Sequence, residues 1–256
     1  MAIVLGGDGV DAALAIGPSI VVDRLLFYTD AANSDSLITK NKAPLVQNVE
    51  IENVLNLVGA GSLDVSSANY IVPTYSTGSR GTLFTGTGGS STDNTILSIN
   101  PDINIGTTGT IDIWASPLPG GGRWVYGLTA GRGNTFLLDL TLGTTTLSIG
   151  TDDRNYNNQI VSLSKNKWYN IVLVFNGPNS KLYVNGQESP ATSGANQSWW
   201  TGTGAIPNYT VTTVGYPLAS LYSGDGYLGP FRLYSKNLSS QEVLQNYNAM
   251  KSRYTI

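Results

Sequence analysis

The sequence of 256 residues contains neither cysteine nor histidine. Without thiols there are no disulfides, thiolate nucleophiles or zinc–thiolate sites. Without imidazoles the chain lacks the most widely used general base, the Ser-His-Asp triad and nitrogen ligands for metals. Chemistry is left to carboxylates, lysine, tyrosine and hydroxyls. Charge is scarce too: charged residues make up 12% of the chain, about half of the usual quarter. Fourteen basic residues face 17 acidic ones, a net charge of −3, with a pI near 4.8. A nucleic-acid partner needs a basic footprint, and an anionic membrane attracts basic segments. Neither partner is expected. No apolar run reaches the roughly 18 residues of a transmembrane span, so no membrane insertion is expected. The opening Met1-Ala-Ile-Val-Leu-Gly-Gly-Asp-Gly-Val is apolar, but it lacks a basic n-region and is interrupted by Asp8 and Asp11. It does not read as a signal peptide. Synthesis in a cytoplasm follows as an expectation, with any outside exposure reached by particle release.

What the chain has is hydrophobic content of 41%, 30 glycines and 11 prolines, with abundant threonine, serine and asparagine. Such a composition favours many short strands joined by tight turns. The length suits one large β-sandwich, since such folds run to about 200–250 residues as single units. Residues 1–22 are almost uncharged and apolar. An isolated tail of that kind is sticky, so it is expected either to be a first strand or to dock on a partner chain. The division expected is therefore an arm, 1–22, followed by a sandwich domain, 23–256.

Asp23–Asn33 reads as a strand ending in a turn, and Ile51–Val58 as a short helix or an edge strand. Tyr70–Pro73 reads as a strand closed by its proline. Thr82–Phe84 is another short strand, followed by a Gly/Ser/Thr loop over 86–91. Residues 110–117 alternate, with Ile111, Ile113 and Ala115 on one face and Asp112 and Trp114 on the other. A polar residue beside tryptophan suggests that the second face is partly covered, as in a sandwich cut by a groove. Trp124–Leu128, Phe136–Leu142 and Thr146–Ile149 follow, the last two joined by a hairpin turn at Gly143-Thr-Thr. Trp168–Phe175 is the strongest strand, and Lys181–Gln187 carries the Asn185-Gly186 turn signal of its hairpin partner. Tyr209–Gly215 and Gly229–Tyr234 read as a second β-pair. The one clear helix starts at Ser239, where Ser239 and Glu242 have capping-box spacing. Val243, Tyr247 and Met250, with Leu244 beside them, supply its docking face.

Trp168-Tyr-Asn-Ile-Val-Leu-Val-Phe with Lys181-Leu-Tyr-Val-Asn-Gly-Gln resembles the core strand pair of concanavalin A-like, laminin-G-like sandwiches. Gly226-Tyr-Leu-Gly-Pro-Phe-Arg-Leu-Tyr-Ser-Lys-Asn-Leu-Ser-Ser-Gln-Glu-Val resembles that family's closing strand and helix, with Pro230 where a charged residue is usual. The ending Leu-Gln-Asn-Tyr-Asn-Ala-Met-Lys-Ser-Arg-Tyr and the opening Leu25-Leu-Phe-Tyr-Thr-Asp-Ala-Ala-Asn-Ser are similar to copies in tailed-phage structural proteins. The resemblance covers roughly 23–35 and 95–253 and leaves 1–22 and 36–94 without a counterpart. It implies an all-β, concanavalin A-like antiparallel β-sandwich with an N-terminal arm and one short C-terminal helix. The helix is expected at one end, covering a sheet edge. It also implies a virion location, other virion structural proteins as partners through residues 1–22, and a symmetric homo-oligomer.

Some members of this family are glycosidases, which need two carboxyls about 5–5.5 Å apart for retention or about 6.5–9.5 Å for inversion. The chain has four glutamates, Glu50, Glu52, Glu188 and Glu242. Glu50 and Glu52 share one face of a strand, but a solvated edge explains them as well, and no catalytic residue is assigned. Related sandwiches hold calcium at a rim through carboxylates and carbonyls. Asp152, Asp153 (with Asn155 nearby) and Asp225 are the oxygen-rich loop positions here, although turn composition accounts for them equally, and no cofactor is expected. Trp199 and Trp200 are adjacent in a Gly/Ser/Thr loop, where two large aromatics suit a protein interface, packing under the loop, or stacking on a host glycan. Tyr209 and Tyr222, with Tyr156, Tyr216 and Tyr227, fall in or near turns and extend that contact surface. Trp114 and Trp168 read as core strand residues. Two functions are therefore expected: a non-enzymatic structural protein of a tailed-phage particle, in head decoration, tail or fibre, or a carbohydrate-binding module.

Overall fold

The computed structural model describes residues 19–33, 36–44, 46–48, 50–65, 74–76, 82–84, 97–117, 123–130, 134–141, 146–151, 161–162, 164, 166–176, 181–189, 209–214 and 226–254. They form two antiparallel sheets and one α-helix. The first sheet runs β15 (Gln187–Glu188), β14 (Lys181–Val184), β13 (Tyr169–Phe175), β8 (Gly109–Pro117), β17 (Gly226–Tyr234), β6 (Thr82–Phe84), β5 (Thr74–Ser76). β1 (Leu25–Thr29) joins it by pairing with the second half of β17, while β6 pairs with the first half. The second sheet runs β12 (Val161–Ser162), β11 (Thr146–Thr151), β10 (Asn134–Thr141), β9 (Arg123–Ala130), β16 (Tyr209–Val214), β7 (Leu97–Gly106), β4 (Ser62–Val65), β3 (Ile51–Leu55), β2 (Leu37–Thr39).

The expected all-β sandwich is what the chain forms. Strand alternation builds its core. Ile111, Ile113 and Ala115 of β8, Ile171 and Leu173 of β13, and Phe231 and Leu233 of β17 are all buried. They lie at alternate positions of registered strands and so share one face. Phe27 joins them and meets Phe231 edge-on at 6.1 Å. Ile51, Val54, Ile99 and Ile105 are buried residues of the second sheet among those described. The Asn185-Gly186 turn has φ of 51° and 77°, the two left-handed positions of the hairpin turn that its sequence demands.

Six local readings are corrected. Ile51–Leu55 is a strand, and it lies between β2 and β4, not at an edge. Tyr209–Val214 and Gly226–Tyr234 do not pair with one another. β16 pairs with β7 and β9 in the second sheet, and β17 pairs with β8, β1 and β6 in the first. Sequence adjacency misled because the two strands belong to different sheets. Trp168 precedes β13 and is half-buried, not a core strand residue. α1 (Ser240–Met250) has the expected capping box at Ser239 and Glu242, but it buries Val243 and Asn246 and leaves Leu244 43% exposed. It also lies over the outer face of the first sheet, as shown by its bonds to β8, β14 and β17. The face carrying Asp112 and Trp114 is therefore closed, without a groove, and both side chains are fully buried. The strands expected at 70–73 and the turns at 86–91 and 143–145 lie outside the described residues.

Candidate functional site

Of the residues expected to make contacts, Tyr209 is the first residue of β16, where its backbone pairs with Ala130 and Gly106. Trp199, Trp200 and Tyr222 lie outside the described residues, as do the calcium candidates Asp152, Asp153 and Asp225. Among the described residues no group of three or more acidic side chains could hold a metal ion. Glu188 pairs with Lys181 across the hairpin (2.8 Å), with both side chains nearly half exposed. Glu242 caps α1 and pairs with Lys236 (2.6 Å). Glu52 is exposed on β3.

Among the described residues, a dense cluster of charged and polar side chains lies where the sequence reading expected only partial cover, on the outer face of the first sheet beneath α1. Asp112 accepts three hydrogen bonds there. They come from Arg232 Nη1 of β17 (2.7 Å), Asn170 Nδ2 of β13 (2.7 Å) and Asn246 Nδ2 of α1 (2.9 Å). All four side chains are fully buried. Arg232 lies opposite Asp112 in the strand register, so the ion pair bridges two central strands. Burial works against the guanidinium charge, but the Asp112 carboxylate outweighs it and holds Arg232 protonated above its usual range. Tyr28 provides a ring face 5.3 Å from the guanidinium carbon. Its hydroxyl donates to Asp30 (3.1 Å), which also accepts from Arg253 (2.7 Å). Burial is the first cause of the rise in the Tyr28 hydroxyl to about 12, and the Asp30 charge adds to it. Burial likewise pushes Tyr234 and Tyr254 well above the ordinary phenol value.

An aromatic layer continues from this cluster. Trp114 stacks on Tyr254 (4.5 Å) and, nearly parallel, on Tyr247 (5.8 Å), while Trp168 covers the other part of Tyr254 (4.4 Å). Trp168 also meets Tyr227 at 6.3 Å, and both are half-buried. Gly229 makes room for this stack: a Cβ there would sit 2.7 Å from the Tyr254 hydroxyl and 3.0 Å from the Trp114 Cβ. The chain bulges at this point, and Pro230 fits because a bulge does not need its N–H.

In this layer Asp112, Arg232, Asn170, Asn246, Trp114 and Tyr254 are closed to solvent and hold the fold together; they offer no reacting group to a substrate. Sequence reasoning missed Arg232, Asn170 and Asn246 as its members. A signal did exist: Asp112 and Arg232 are opposite charges, each set between apolar neighbours of a strand, and each needs a partner inside.

The family model described as the concanavalin A-like lectin/glucanases superfamily matches residues 88–244. No curated protein sequence matches the chain. Among solved structures, Trypanosoma rangeli sialidase in complex with 2,3-difluorosialic acid is 13% identical with a TM-score of 0.58. That match covers 94% of this chain and 35% of the sialidase. Domain 4 of AbnA, a GH43 extracellular arabinanase from Geobacillus stearothermophilus, in complex with arabinotriose, is 13% identical with a TM-score of 0.55. Here the coverage is 88% of this chain and 98% of that domain. The receptor binding domain of botulinum neurotoxin C/D mosaic serotype is 15% identical with a TM-score of 0.53, over 88% and 51% of the two chains. The chain thus spans about a third of the sialidase and half of the neurotoxin domain, and these likenesses describe its fold.

Proposed function

Because the chain belongs to the concanavalin A-like lectin/glucanases superfamily, we propose that it is a non-catalytic module of that fold, exposed on a tailed-phage particle as head decoration, tail or fibre protein. The observation that carries the non-catalytic half is how its carboxylates are used. Asp23, Asp30, Asp112, Glu188 and Glu242 are each tied to a cation of the same chain. Two of these, Asp112 and Asp30, are buried. A glycosidase pair needs two carboxyls facing a shared open cleft, whereas each of these five is engaged by a cation of its own chain. The virion half rests on the resemblance of the first and last segments to phage structural proteins, and on an apolar arm suited to a neighbouring chain. Mass spectrometry of purified particles with antibody–gold labelling tests it. A stoichiometric band with label on the head or tail is expected, and absence from particles overturns it.

Carbohydrate recognition is the second reading, supported by the near-complete coverage of the AbnA domain that is in complex with arabinotriose. Trp199 and Trp200, with Tyr209 and Tyr222, are the aromatics proposed to stack on sugar rings. Replacing both tryptophans by alanine should abolish retention on a glycan array while the melting temperature is unchanged. Retention equal to that of the parent chain overturns this assignment.

A further inference from the structure

The aromatic layer beneath α1 is sealed at Trp114 and Tyr254, which are fully buried, and opens at one end, where Trp168 and Tyr227 are only half-buried. The strand register brings these two together. Tyr227 of β17 lies opposite Ser116 of β8. Tyr169 of β13 lies opposite Ala115, so Trp168, one residue earlier, reaches the level of Ser116 from the other side. β13 and β17 are two strand spacings apart, about 9.6 Å, yet the ring centroids are 6.3 Å apart and tilted by 39°. The rings therefore lean together over the small, buried Ser116 and make one continuous apolar surface. That surface is stiff. Tyr254 backs Trp168 at 4.4 Å, Trp114 backs Tyr254 at 4.5 Å, and the Arg253 guanidinium carbon lies 5.1 Å from the Tyr254 ring. The turn leading into Trp168 supplies a polar rim, since Ser164, Asn166 and Lys167 are all exposed. Asn166 has φ of 60°, which asparagine tolerates as a single left-handed residue. The Ser164 N–H donates to the Tyr169 hydroxyl (2.7 Å) and fastens this turn to the strand.

We propose that Trp168 and Tyr227 form a sugar-binding platform, on which one ring of an oligosaccharide lays its C–H face while its hydroxyls bond to the Asn166 amide and the Lys167 ammonium. The proposal rests on the carbohydrate-binding reading given above, and it places the stacking on residues held by the strands of the first sheet. The chemistry of the surface selects this ligand. A sugar ring is apolar on its faces and ringed by hydroxyl oxygens, which matches two aromatic rings with an amide and an ammonium along one side. An apolar protein segment laid there would desolvate Asn166 and Lys167 without giving them acceptors. Because Trp168 is already fixed by the rings behind it, little side-chain freedom is lost on binding.

A printed oligosaccharide array, probed with the full chain and its variants, tests the platform. Trp168→Ala should weaken retention about thirtyfold or more, but it also removes a contact to Tyr254 and can loosen the fold. Two milder variants avoid that difficulty. Trp168→Phe keeps a ring against Tyr254 and shortens the stacking surface, and Lys167→Ala touches the exposed rim alone. Both should melt with the parent chain, and each should weaken retention about tenfold. Retention of Trp168→Phe equal to that of the parent overturns the platform and leaves carbohydrate binding to Trp199 and Trp200. Unchanged retention of Lys167→Ala overturns its place at the rim. If Trp168→Phe keeps glycan retention but loses rebinding to purified particles, the surface is a protein contact and the sugar assignment is overturned. A parent chain that no glycan on the array retains overturns the carbohydrate reading itself, and the platform with it.

Discussion

The two faces of the first sheet are made by the same three strands and solve burial in opposite ways. The inner face takes Ile111, Ile113, Ile171, Leu173, Phe231 and Leu233 and excludes water with hydrocarbon alone. The outer face takes Asp112, Trp114, Asn170, Arg232 and Tyr234, one residue out of step along each strand, and buries them as completely. Apolar burial is non-directional and tolerant of substitution. A buried charge is stable only with its particular partners in place. The three bonds to Asp112 come from β13, β17 and α1, so the outer face fixes where the helix sits, which hydrocarbon packing alone specifies weakly. The cost is visible. Arg232 Nε and Nη2, Asn170 Oδ1, Trp114 Nε1 and the Tyr254 hydroxyl have no hydrogen-bond partner among the described residues.

The contrast breaks most sharply at the ion pair. Asp112→Leu leaves a fully buried guanidinium without its carboxylate and should cost about 3–5 kcal/mol in urea unfolding. The double replacement Asp112→Leu with Arg232→Met should recover most of that loss, because the unpaired charge goes with it. No recovery would mean that the outer face behaves like the inner one. On the inner face, Ile113→Ala should cost about 2–5 kcal/mol through lost transfer energy and the cavity left behind. No second substitution elsewhere in that face should rescue it.

Alkali probes the outer face through Tyr28. Tyr28 is raised to about 12 in the fold from 10, so its protonated form stabilises the folded chain. That contribution is complete below pH 10 and is lost as the pH rises from about 10 toward 12. The part of the tyrosinate absorbance that Tyr28→Phe removes should therefore appear together with unfolding in that window. Gradual ionisation of a still folded chain would show the hydroxyls to be open to water. The smallest effect is at the edge of the layer. Ser239→Ala removes the cap of α1 and should cost about 1 kcal/mol. Glu242, the other half of the box, is pushed up by burial but held below its ordinary value by Lys236 and Ser239. Its contribution is present above pH 4.5 and fades as the pH falls through its lowered folded value. Thermal melts at pH 3 and pH 7 should show the Ser239→Ala difference shrinking in acid.

The parts of this fold that were legible in the sequence are those governed by neighbours along the chain. The alternation of residues 110–117, the Asn185-Gly186 turn and the Ser239/Glu242 cap each depend on a few consecutive residues, and each forms as read. The helix face was misread because hydropathy assigns Leu244 to the interior and Asn246 to solvent. The structure reverses them, since Asn246 bonds to Asp112, more than a hundred residues away in sequence. The pairing of β16 and β17 failed for a similar reason: two strands close in sequence belong to different sheets, and register alone decides that. The aromatic surface expected around Trp199 and Trp200 was read from composition and lies outside the described residues.

By itself, then, the sequence determined the class of structure and most of its strands, because periodicity, turn chemistry and capping act over a few residues. It also determined what chemistry is missing, since absent side chains cannot be supplied by folding. Only the tertiary structure decided that a charged pair and two asparagines would form the inside of a helix–sheet interface, and that Val21 would bond to one of them. Those outcomes depend on partners brought together from β8, β13, β17, α1 and Val21, whose N–H donates to Asn246 Oδ1. The energy of a buried polar group is set by the partners it finds, and no stretch of the chain contains them all.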